Sequence, residues 1–423
     1  MSSMSSMSSM SKLKEKLISA KKAQKVAKRQ DKETRIKALK AIAKSLLDHE
    51  KDIIAANKKD LERAASGGLS KAMIDRLTLH TGRIKNMAKD VLAIADQEEV
   101  LGLTGEEAVR ENKLSVKKER IPIGVIGMVF ESRPNVIVDA GALAIKSGNA
   151  IILKGGKEAQ HSNTFLGELL RNAIKDYLPE DVIVVLDSQN RELVQELICQ
   201  KDYVDLIIPR GGEALIHFVY ENAKVPVIAH FKGLCHTYID VSCDLVKAKD
   251  IIINAKTNRP GVCNAMETLL LHKDLDKEWV KGILYELCQK GVELRLDEKL
   301  HPLFASAKRA EEKDWDEEYL DLILSVKQVD SVNEAILHID AHGSYHTEAI
   351  VAEDRETIEL FTKAVDCSCL VINASSRFND GGQLGLGAEL GISTTKLHAY
   401  GPMGAKEMTT TRFVVVGDGQ IRD

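Results

Sequence analysis

The sequence lacks an apolar run long enough to cross a bilayer. Its longest apolar stretch, Ile121–Phe130, is interrupted by Pro122 and two glycines, whereas a membrane-spanning helix needs about 20 apolar residues. The N-terminus repeats Met-Ser-Ser and has neither the positive nor the apolar region of a secretory signal. We therefore expect no membrane span and no secretion. We expect residues 1–11 to form a disordered tail, because a serine-rich segment buries little apolar surface.

An excess of charge of one sign is also absent. The chain has 59 Lys and Arg against 63 Asp and Glu, a formal net charge of −4, so it offers no domain-wide basic face for nucleic acid. Its seven cysteines are odd in number and irregularly spaced, which argues against a disulfide framework and for a reducing, cytoplasmic compartment. Cys367 and Cys369 lack a second pair or histidine cluster at ligand spacing, so we predict no metal site.

A repeating α/β pattern begins near residue 121. Before it, residues 12–65 have the apolar spacing of two or three amphipathic helices. After it, short apolar runs alternate with helical stretches, which predicts parallel sheets with helices on both faces and ligands at strand ends. The predicted strands are Gly124–Phe130, Ala150–Leu153, Val182–Leu186, Val204–Ile208, Val225–Ala229, Thr268–Leu271, Leu322–Val326, Ala349–Val351, Leu370–Ile372 and Thr409–Val416.

One cysteine stands out by its surroundings. Cys263 follows the turn signal Pro260-Gly261 and precedes a segment of helical propensity. A cysteine at a helix N-terminus gains thiolate character from the helix dipole and has backbone N–H groups nearby for an oxyanion. The alternative is a small buried hydrophobe, which is what most cysteines are.

Three glycine-rich or basic turns follow predicted strands. The first contains Gly155-Gly156 between two lysines, and the second contains Gly211-Gly212 after an arginine. Glycine lets backbone N–H groups approach a phosphate, so two such turns in one sheet suggest a dinucleotide site. Plain connecting turns are the alternative. The third turn is the polar, glycine-rich segment Asn373–Gln383. Its Arg377 could clamp an anionic substrate, and the alternative is a solvated loop residue.

Together these stretches resemble the gamma-glutamyl phosphate reductases, a branch of the aldehyde dehydrogenase superfamily. The resemblance covers residues 12–423 and rests on long motifs in a fixed order. They are Phe130–Asn135, Lys146–Ala150, Ile152–Lys157, Ile208–Gly212, Asn254–Asn264, His338–His346 and Gly385–Ser393.

The resemblance implies an aldehyde dehydrogenase-like α/β fold. It consists of a Rossmann-type NADPH-binding domain (12–107 and 123–233), an α/β catalytic domain (234–401) and a small β oligomerisation arm (108–122 and 402–423). It also implies a homo-oligomer, either a dimer or a tetramer. An association with glutamate 5-kinase is a further expectation from the resemblance.

The implied reaction is reduction of L-glutamate 5-phosphate by NADPH to the 5-semialdehyde, through a thioester on Cys263. This is the second step of proline synthesis from glutamate. An unperturbed thiol is only a few per cent thiolate at neutral pH, so we expect the site to lower its pKa.

The motifs also imply a role for each site residue. Asn264 and its backbone belong to the oxyanion site. The cofactor residues are Lys154 at the adenine-side ribose, Lys157 at the 2′-phosphate, Gly211 and Gly212 near the pyrophosphate, and Glu318 at the nicotinamide ribose. The substrate candidates are Arg133, Asn135, Arg259, Asn373 and Arg377.

Two departures from the wider superfamily bear on the chemistry. Hydrolytic aldehyde dehydrogenases have a general-base glutamate where this chain reads Ile228–Cys235, without a carboxylate. Its absence suits a reductase that must keep water from its thioester. Arg133 stands roughly where the superfamily has an oxyanion asparagine, which suggests a phosphate contact. The alternatives are another acyl substrate on the same fold, or a catalytically silent oligomeric partner.

Overall fold

The computed structural model describes residues 2–69 and 71–422, beginning with five helices. These are α1 (Ser2–Ala27), α2 (Lys32–Asp48), α3 (Glu50–Ser66), α4 (Lys71–Leu77) and α5 (Thr81–Asp96). Asp31 begins α2 by accepting a hydrogen bond from the N–H of Thr34. Leu39, Ile42 and Leu46 are fully buried on one face of α2, as the spacing predicts. The amphipathic helices predicted within residues 12–65 are confirmed.

The first helix includes most of the segment predicted to be a disordered tail, and that tail stays a prediction. α1 begins at Ser2, so the backbone of residues 2–11 is helical, while Met1 lies outside the described residues. No Gly or Pro interrupts the segment, and serine costs a helix only a fraction of a kcal/mol. Further along, Leu13, Leu17 and Ala20 bury their side chains in the same cluster as Val125, which ties the helix to the first parallel sheet.

Two strands then form a hairpin. β1 (Gly102–Val109) pairs antiparallel with β2 (Ser115–Pro122).

A four-stranded parallel sheet follows, with strand order β5-β4-β3-β6. Its strands are β3 (Val125–Phe130), β4 (Ala150–Lys154), β5 (Ile183–Val185) and β6 (Leu206–Arg210). Its helices are α6 (Asn135–Lys146), α7 (Gln160–Ile174), α8 (Glu192–Ile198) and α9 (Glu213–Asn222). The strand predicted at Val225–Ala229 is wrong, because only Val227 forms a bridge, to Ile207. Pro226 has no N–H to extend the pairing.

A second, seven-stranded parallel sheet has the order β10-β9-β11-β8-β7-β12-β13. Its strands are β7 (Cys235–Ile239), β8 (Met266–His272), β9 (Glu293–Leu296), β10 (Lys308–Arg309), β11 (Ile323–Val329), β12 (Thr347–Val351) and β13 (Cys369–Ile372). The helices are α10 (Leu245–Thr257), α11 (Lys277–Gln289), α12 (Val332–His342) and α13 (Arg355–Ala364). The predicted α/β class is confirmed.

Three strands complete the fold. β14 (Ile392–Ser393) pairs with β15 (Gly401–Pro402), and β16 (Thr409–Val416) pairs antiparallel with β2, giving the sheet order β1-β2-β16. The strand predicted at Thr409–Val416 is confirmed, while the predicted domain boundaries stay a prediction. Among the described residues, no helix combines the length and apolarity needed to span a membrane.

Candidate active site

Cys263 lies in a turn that leads into a strand and not into a helix. α10 ends at Thr257, the chain turns through residues 260–264, and β8 begins at Met266. The helix predicted after Cys263 is therefore wrong. The strand predicted at Thr268–Leu271 is confirmed, because the apolar run there forms the buried strand β8 near the middle of the sheet.

The backbone of Cys263 is fixed from behind by the segment that enters β7. A Cβ atom at Gly233 would lie 2.2 Å from the Cys263 carbonyl oxygen and 2.6 Å from its Cα, so only glycine fits there. Two residues further, the buried thiol of Cys235 donates to the same carbonyl oxygen at 3.1 Å. The side chain of Cys263 itself is half-buried.

Asn264 anchors the turn on its other side. Its side-chain N–H donates to the carbonyl oxygen of Asn379 at 2.8 Å, and its own carbonyl accepts from the Ser376 hydroxyl at 2.7 Å. Within the described chain, the backbone N–H groups of Cys263 and Asn264 have no hydrogen-bond acceptor. Both donors are therefore available to an oxyanion.

The electrostatic surroundings of the thiol differ from the sequence-based expectation. Burial raises the pKa of Cys263 to about 11; the Arg210 guanidinium opposes this rise, and the Glu389 and Glu318 carboxylates add to it. The lowered pKa expected from a helix N-terminus is thus contradicted, since no helix dipole points at the sulfur and desolvation dominates. Arg133 also favours the thiolate, but more weakly than Arg210.

Two guanidiniums, Arg133 and Arg210, lie together beside the thiol. Burial, together with the nearby Arg210 and Arg76, lowers the pKa of Arg133 to about 9. Arg210 ends β6, directly before Gly211. The sequence analysis noted this arginine only as a charge beside the glycine turn and missed its position beside the thiol, although a basic residue at a strand end was itself a signal.

A cavity of about 20 Å³ adjoins the two arginines and is also lined by Asn135, Asp139 and Glu389. The Asn135 amide donates to Asp139 at 2.8 Å, so this predicted substrate residue is already engaged. Burial raises the pKa of Asp139 to about 7. The pKa of Glu389 is also raised by burial, and one of its oxygens accepts from the Gly381 N–H at 2.8 Å.

The predicted cofactor residues gather at the carboxyl edge of the four-stranded sheet. Lys154, buried at the end of β4, donates to the carbonyl oxygens of Gly155 at 3.0 Å and Ser188 at 3.2 Å. Burial lowers its pKa. An ammonium has three N–H donors, so one is still free for a ribose hydroxyl. Lys157 is exposed just beyond this strand.

The second glycine turn lies at the same edge, because β3 separates β4 from β6. The Gly212 N–H donates to Glu131 Oε2 at 2.8 Å, and a Cβ at Gly211 would lie 2.5 Å from that oxygen. The backbone N–H at the start of α9 thus already binds a carboxylate. A backbone N–H that binds an anionic group at this edge fits the expected place of a dinucleotide pyrophosphate, with Glu131 holding that N–H in the structure.

Glu318 reaches the thiol from the segment before β11. It is half-buried, burial raises its pKa, and the backbone N–H of Gly233 opposes that rise. Two residues on, Leu320 has a φ of 53° and its N–H donates to Glu267 at 3.1 Å. Glu267 in turn pairs with Lys256 at 2.6 Å, both side chains fully buried. The sequence analysis did not identify this ion pair. Through its bond to the Leu320 N–H, it fixes the turn that contains Glu318 and Leu320, called the Glu318 turn.

Two of the predicted substrate residues, Arg377 and Arg259, lie near Cys263. Arg377 is half-buried, donates to Asn258 at 3.2 Å, and has its pKa lowered by burial. Exposed Arg259 lies close enough to lower the pKa of Arg377 and Arg133, so these arginines surround Cys263.

Asn373 already makes two hydrogen bonds within the sheet. Its amide donates to the Ala352 carbonyl oxygen at 2.8 Å and accepts from the Ala352 N–H at 3.0 Å. The side chain therefore joins two strand ends of the sheet, and the binding role expected from the motif stays a prediction.

A half-buried cysteine between a dinucleotide-type sheet and a second α/β sheet defines a class of enzymes. The model of the aldehyde dehydrogenase family matches residues 4–320, and the chain belongs to this family. Within it, the chain is similar to gamma-glutamyl phosphate reductases. It is 49% identical to that of Geobacter metallireducens over 385 residues, covering 91% of this chain and 92% of the relative. It is 44% identical to that of Clostridium tetani over 414 residues, covering 95% and 97%.

Solved structures agree with this similarity. A crystal structure of gamma-glutamyl phosphate reductase from Thermotoga maritima superimposes with a TM-score of 0.94 at 42% identity, covering 97% of this chain and 100% of that one. An acetylating aldehyde dehydrogenase from Geobacillus thermoglucosidasius has a TM-score of 0.73 at 19% identity, covering 99% of each chain, and shares the fold.

Proposed function

We propose that the chain catalyses the reaction for which its relatives are named, reduction of L-glutamate 5-phosphate to the 5-semialdehyde and phosphate in proline biosynthesis. The observation that carries this is the pair of guanidiniums, Arg133 and Arg210, beside the half-buried thiol of Cys263. An acyl phosphate presents an anionic phosphate next to an electrophilic carbonyl, and guanidiniums bind phosphate through paired N–H donors. A simple aldehyde has no group that needs two arginines.

In the proposed mechanism, the Cys263 thiol loses its proton and the sulfur attacks the acyl carbonyl. The free backbone N–H groups of Cys263 and Asn264 stabilise the resulting oxyanion. Phosphate then leaves with its charge held by Arg133 and Arg210, and a thioester remains on the sulfur. When bound, the nicotinamide cofactor supplies the hydride that reduces this thioester, after which the C–S bond breaks and the aldehyde is released.

Water has to be kept from the thioester. Segment Ile228–Cys235 contains no carboxylate. Glu389 does reach the site from elsewhere, but burial raises its pKa and the Gly381 N–H occupies one of its oxygens. A carboxyl oxygen that already accepts a hydrogen bond is less available as a base for water, so this arrangement supports reduction of the thioester by hydride over hydrolysis.

We assign the cofactor as NADPH. Lys154, Gly211, Gly212 and Glu318 would hold its ribose and pyrophosphate groups, and Lys157 would bind the 2′-phosphate. The support is that Lys157 is exposed beside the strand end that carries Lys154, and a lysine there discriminates the charged 2′-phosphate from a hydroxyl.

We infer that the working form is a cytoplasmic homo-oligomer. β16 is an edge strand with Phe413, Val415 and Val416 more than half exposed (67%, 56% and 53%). Such a strand is usually covered, and a dimer or tetramer would cover it with another copy. All seven cysteines are free thiols, which suits a reducing compartment. Association with glutamate 5-kinase remains a proposal that sedimentation of the mixed proteins would test.

The reaction is tested in the reverse direction, because the acyl phosphate is labile. Enzyme is mixed with glutamate semialdehyde, phosphate and either NADP or NAD, and reduced cofactor is followed by absorbance. We expect phosphate-dependent reduction of NADP that is lost in Cys263→Ser and retained in Cys199→Ser, a matched half-buried cysteine at the end of α8. Arg133→Gln should raise the KM for phosphate.

Two results would contradict the proposal. Reduction without phosphate would indicate a hydrolytic or other acyl-transferring dehydrogenase. Activity that survives in Cys263→Ser would remove the thioester route.

A further inference from the structure

A cleft of about 410 Å³ lies at the far end of the seven-stranded sheet from Cys263. Cys263 and Glu318 precede strands β8 and β11, whereas the cleft lies where β9 and β10 end and β11 runs on. The carboxyl edge of a parallel sheet is the usual place for a ligand. The catalytic site of this sheet uses the opposite edge, so the cleft is a separate feature.

The interior of the cleft holds an ammonium group without a counter-ion. Lys327, half-buried on β11, approaches the Trp315 ring at 5.6 Å and the His338 Nδ1 at 3.1 Å. Burial lowers the pKa of His338 to about 2, so its ring is neutral and accepts from the lysine. Among the described residues, no carboxylate lies within salt-bridge distance of Lys327 Nζ. Asp297, which also lines the cleft, acts on Lys327 only at longer range, so a half-buried ammonium without a salt bridge favours an anionic partner.

The rim of the cleft carries carboxylates that lack a partner, whereas its one lysine, Lys299, pairs with Asp330 at 3.5 Å. Exposed Glu298 and Glu312 have no ion-pair partner within the described chain. Asp297, by contrast, already accepts from the N–H groups of Leu300 and Gln328. A simple anion would reach Lys327 past uncompensated carboxylates, and a simple amine would leave Lys327 unpaired. A ligand that carries both charges satisfies both sets of groups.

We propose that this cleft binds a free amino acid as its zwitterion. The ligand carboxylate pairs with Lys327, its ammonium with Glu312 and Glu298, and its side chain lies against the indole of Trp315. The 3₁₀ turn that carries Glu312 and Trp315 ends at Asp316, two residues before Glu318. An occupied cleft therefore adjoins the segment that the active site uses.

The indole gives a direct readout of binding. The chain has two tryptophans, so the variant Trp279→Phe leaves Trp315 as the only one. Its fluorescence is titrated with L-alanine, L-proline and L-leucine, and with propionate and propylamine as single-charge controls. We expect a saturable change with at least one amino acid, at about tenfold lower concentration than with either control.

Two substitutions locate the site, and each has a control. Lys327→Gln and Glu312→Gln should each weaken amino-acid binding about tenfold. Glu312 is exposed, so its variant tests the proposal even if the half-buried Lys327 variant folds poorly. Lys308→Gln, an exposed lysine of β10 paired with Glu293, should leave binding unchanged. No saturable change with any amino acid, or equal binding of propionate, would overturn the proposal.

Discussion

The buried thiol of Cys235 donates a hydrogen bond to the carbonyl oxygen of Cys263, at 3.1 Å. One cysteine thus orients the backbone of another whose sulfur faces the site. Cys235 also lies 3.6 Å from His346 Nδ1, so its thiol sits between the nucleophile's turn and β12.

Replacing this donor should slow the reaction without removing the nucleophile. We expect Cys235→Ala to lower kcat about tenfold, because one lost hydrogen bond of about 1 kcal/mol lets the turn shift. Cys235→Ser keeps a donor and should recover part of the rate. Steady-state kinetics with phosphate as the varied substrate would check this, and equal kcat in wild type and Cys235→Ala would refute the positioning role.

Gly233 should be more sensitive still. In Gly233→Ala the new methyl group would lie 2.2 Å from the Cys263 carbonyl oxygen, which forces backbone to move and should lower kcat about 100-fold. Gly282→Ala is the matched control, because nothing lies within 4 Å of a Cβ there and it is in α11. The control should keep full activity and gain up to about 1 kcal/mol in stability.

The reactivity of Cys263 should depend steeply on pH. With its pKa raised to about 11, the thiol is protonated below that value, and each unit of rising pH multiplies the thiolate about tenfold. The rate of alkylation by iodoacetamide in the ligand-free enzyme should rise accordingly from pH 7 to 10. Arg210→Gln removes a group that favours the thiolate, so it should slow alkylation at each pH. A plateau below pH 9 would contradict the raised pKa.

The pair Lys256–Glu267 should dominate local stability. Lys256→Met leaves the Glu267 carboxylate buried without a partner, which costs about 3–5 kcal/mol. The double variant Lys256→Met with Glu267→Leu should recover most of that loss in urea unfolding. It should nevertheless keep a raised KM for the cofactor, because the Leu320 N–H loses its acceptor and the Glu318 turn loosens. Full recovery of both the stability and the KM for the cofactor would show that the pair acts on stability alone.

Local patterns in the sequence were sufficient for much of the fold. The 3.6-residue spacing in α2 and the apolar runs of β3 and β4 predicted elements close to the observed bounds. The strand predicted at Thr268–Leu271 lies within β8, but the helix expected directly after Cys263 was wrong, since a short apolar run is compatible with either a buried helix or a central strand. Only pairing with β7 and β11, far apart in sequence, decides between them.

Long-range electrostatics explain what the sequence could not reveal about the site. Glu389 and Arg210 reach Cys263 from distant segments, and no spacing rule links them. The pKa of Cys263 depends on desolvation, which exists only after folding. Asn373 illustrates the converse, because a motif residue with polar atoms turned out to bind backbone within the sheet.

The contact between Lys256 and Glu267 spans 11 positions along the chain, and Cys263 lies within that interval. The segment from Lys256 to Glu267, which contains the turn of Cys263, therefore forms a loop whose two ends are held together by a buried ion pair. Separating the two ends breaks this ion pair inside the protein, and leaving one partner buried alone costs about 3–5 kcal/mol. The pair therefore limits movement of the turn, while the N–H groups of Cys263 and Asn264, which have no acceptor in the described chain, should still exchange with solvent faster than the hydrogen-bonded amides of β8.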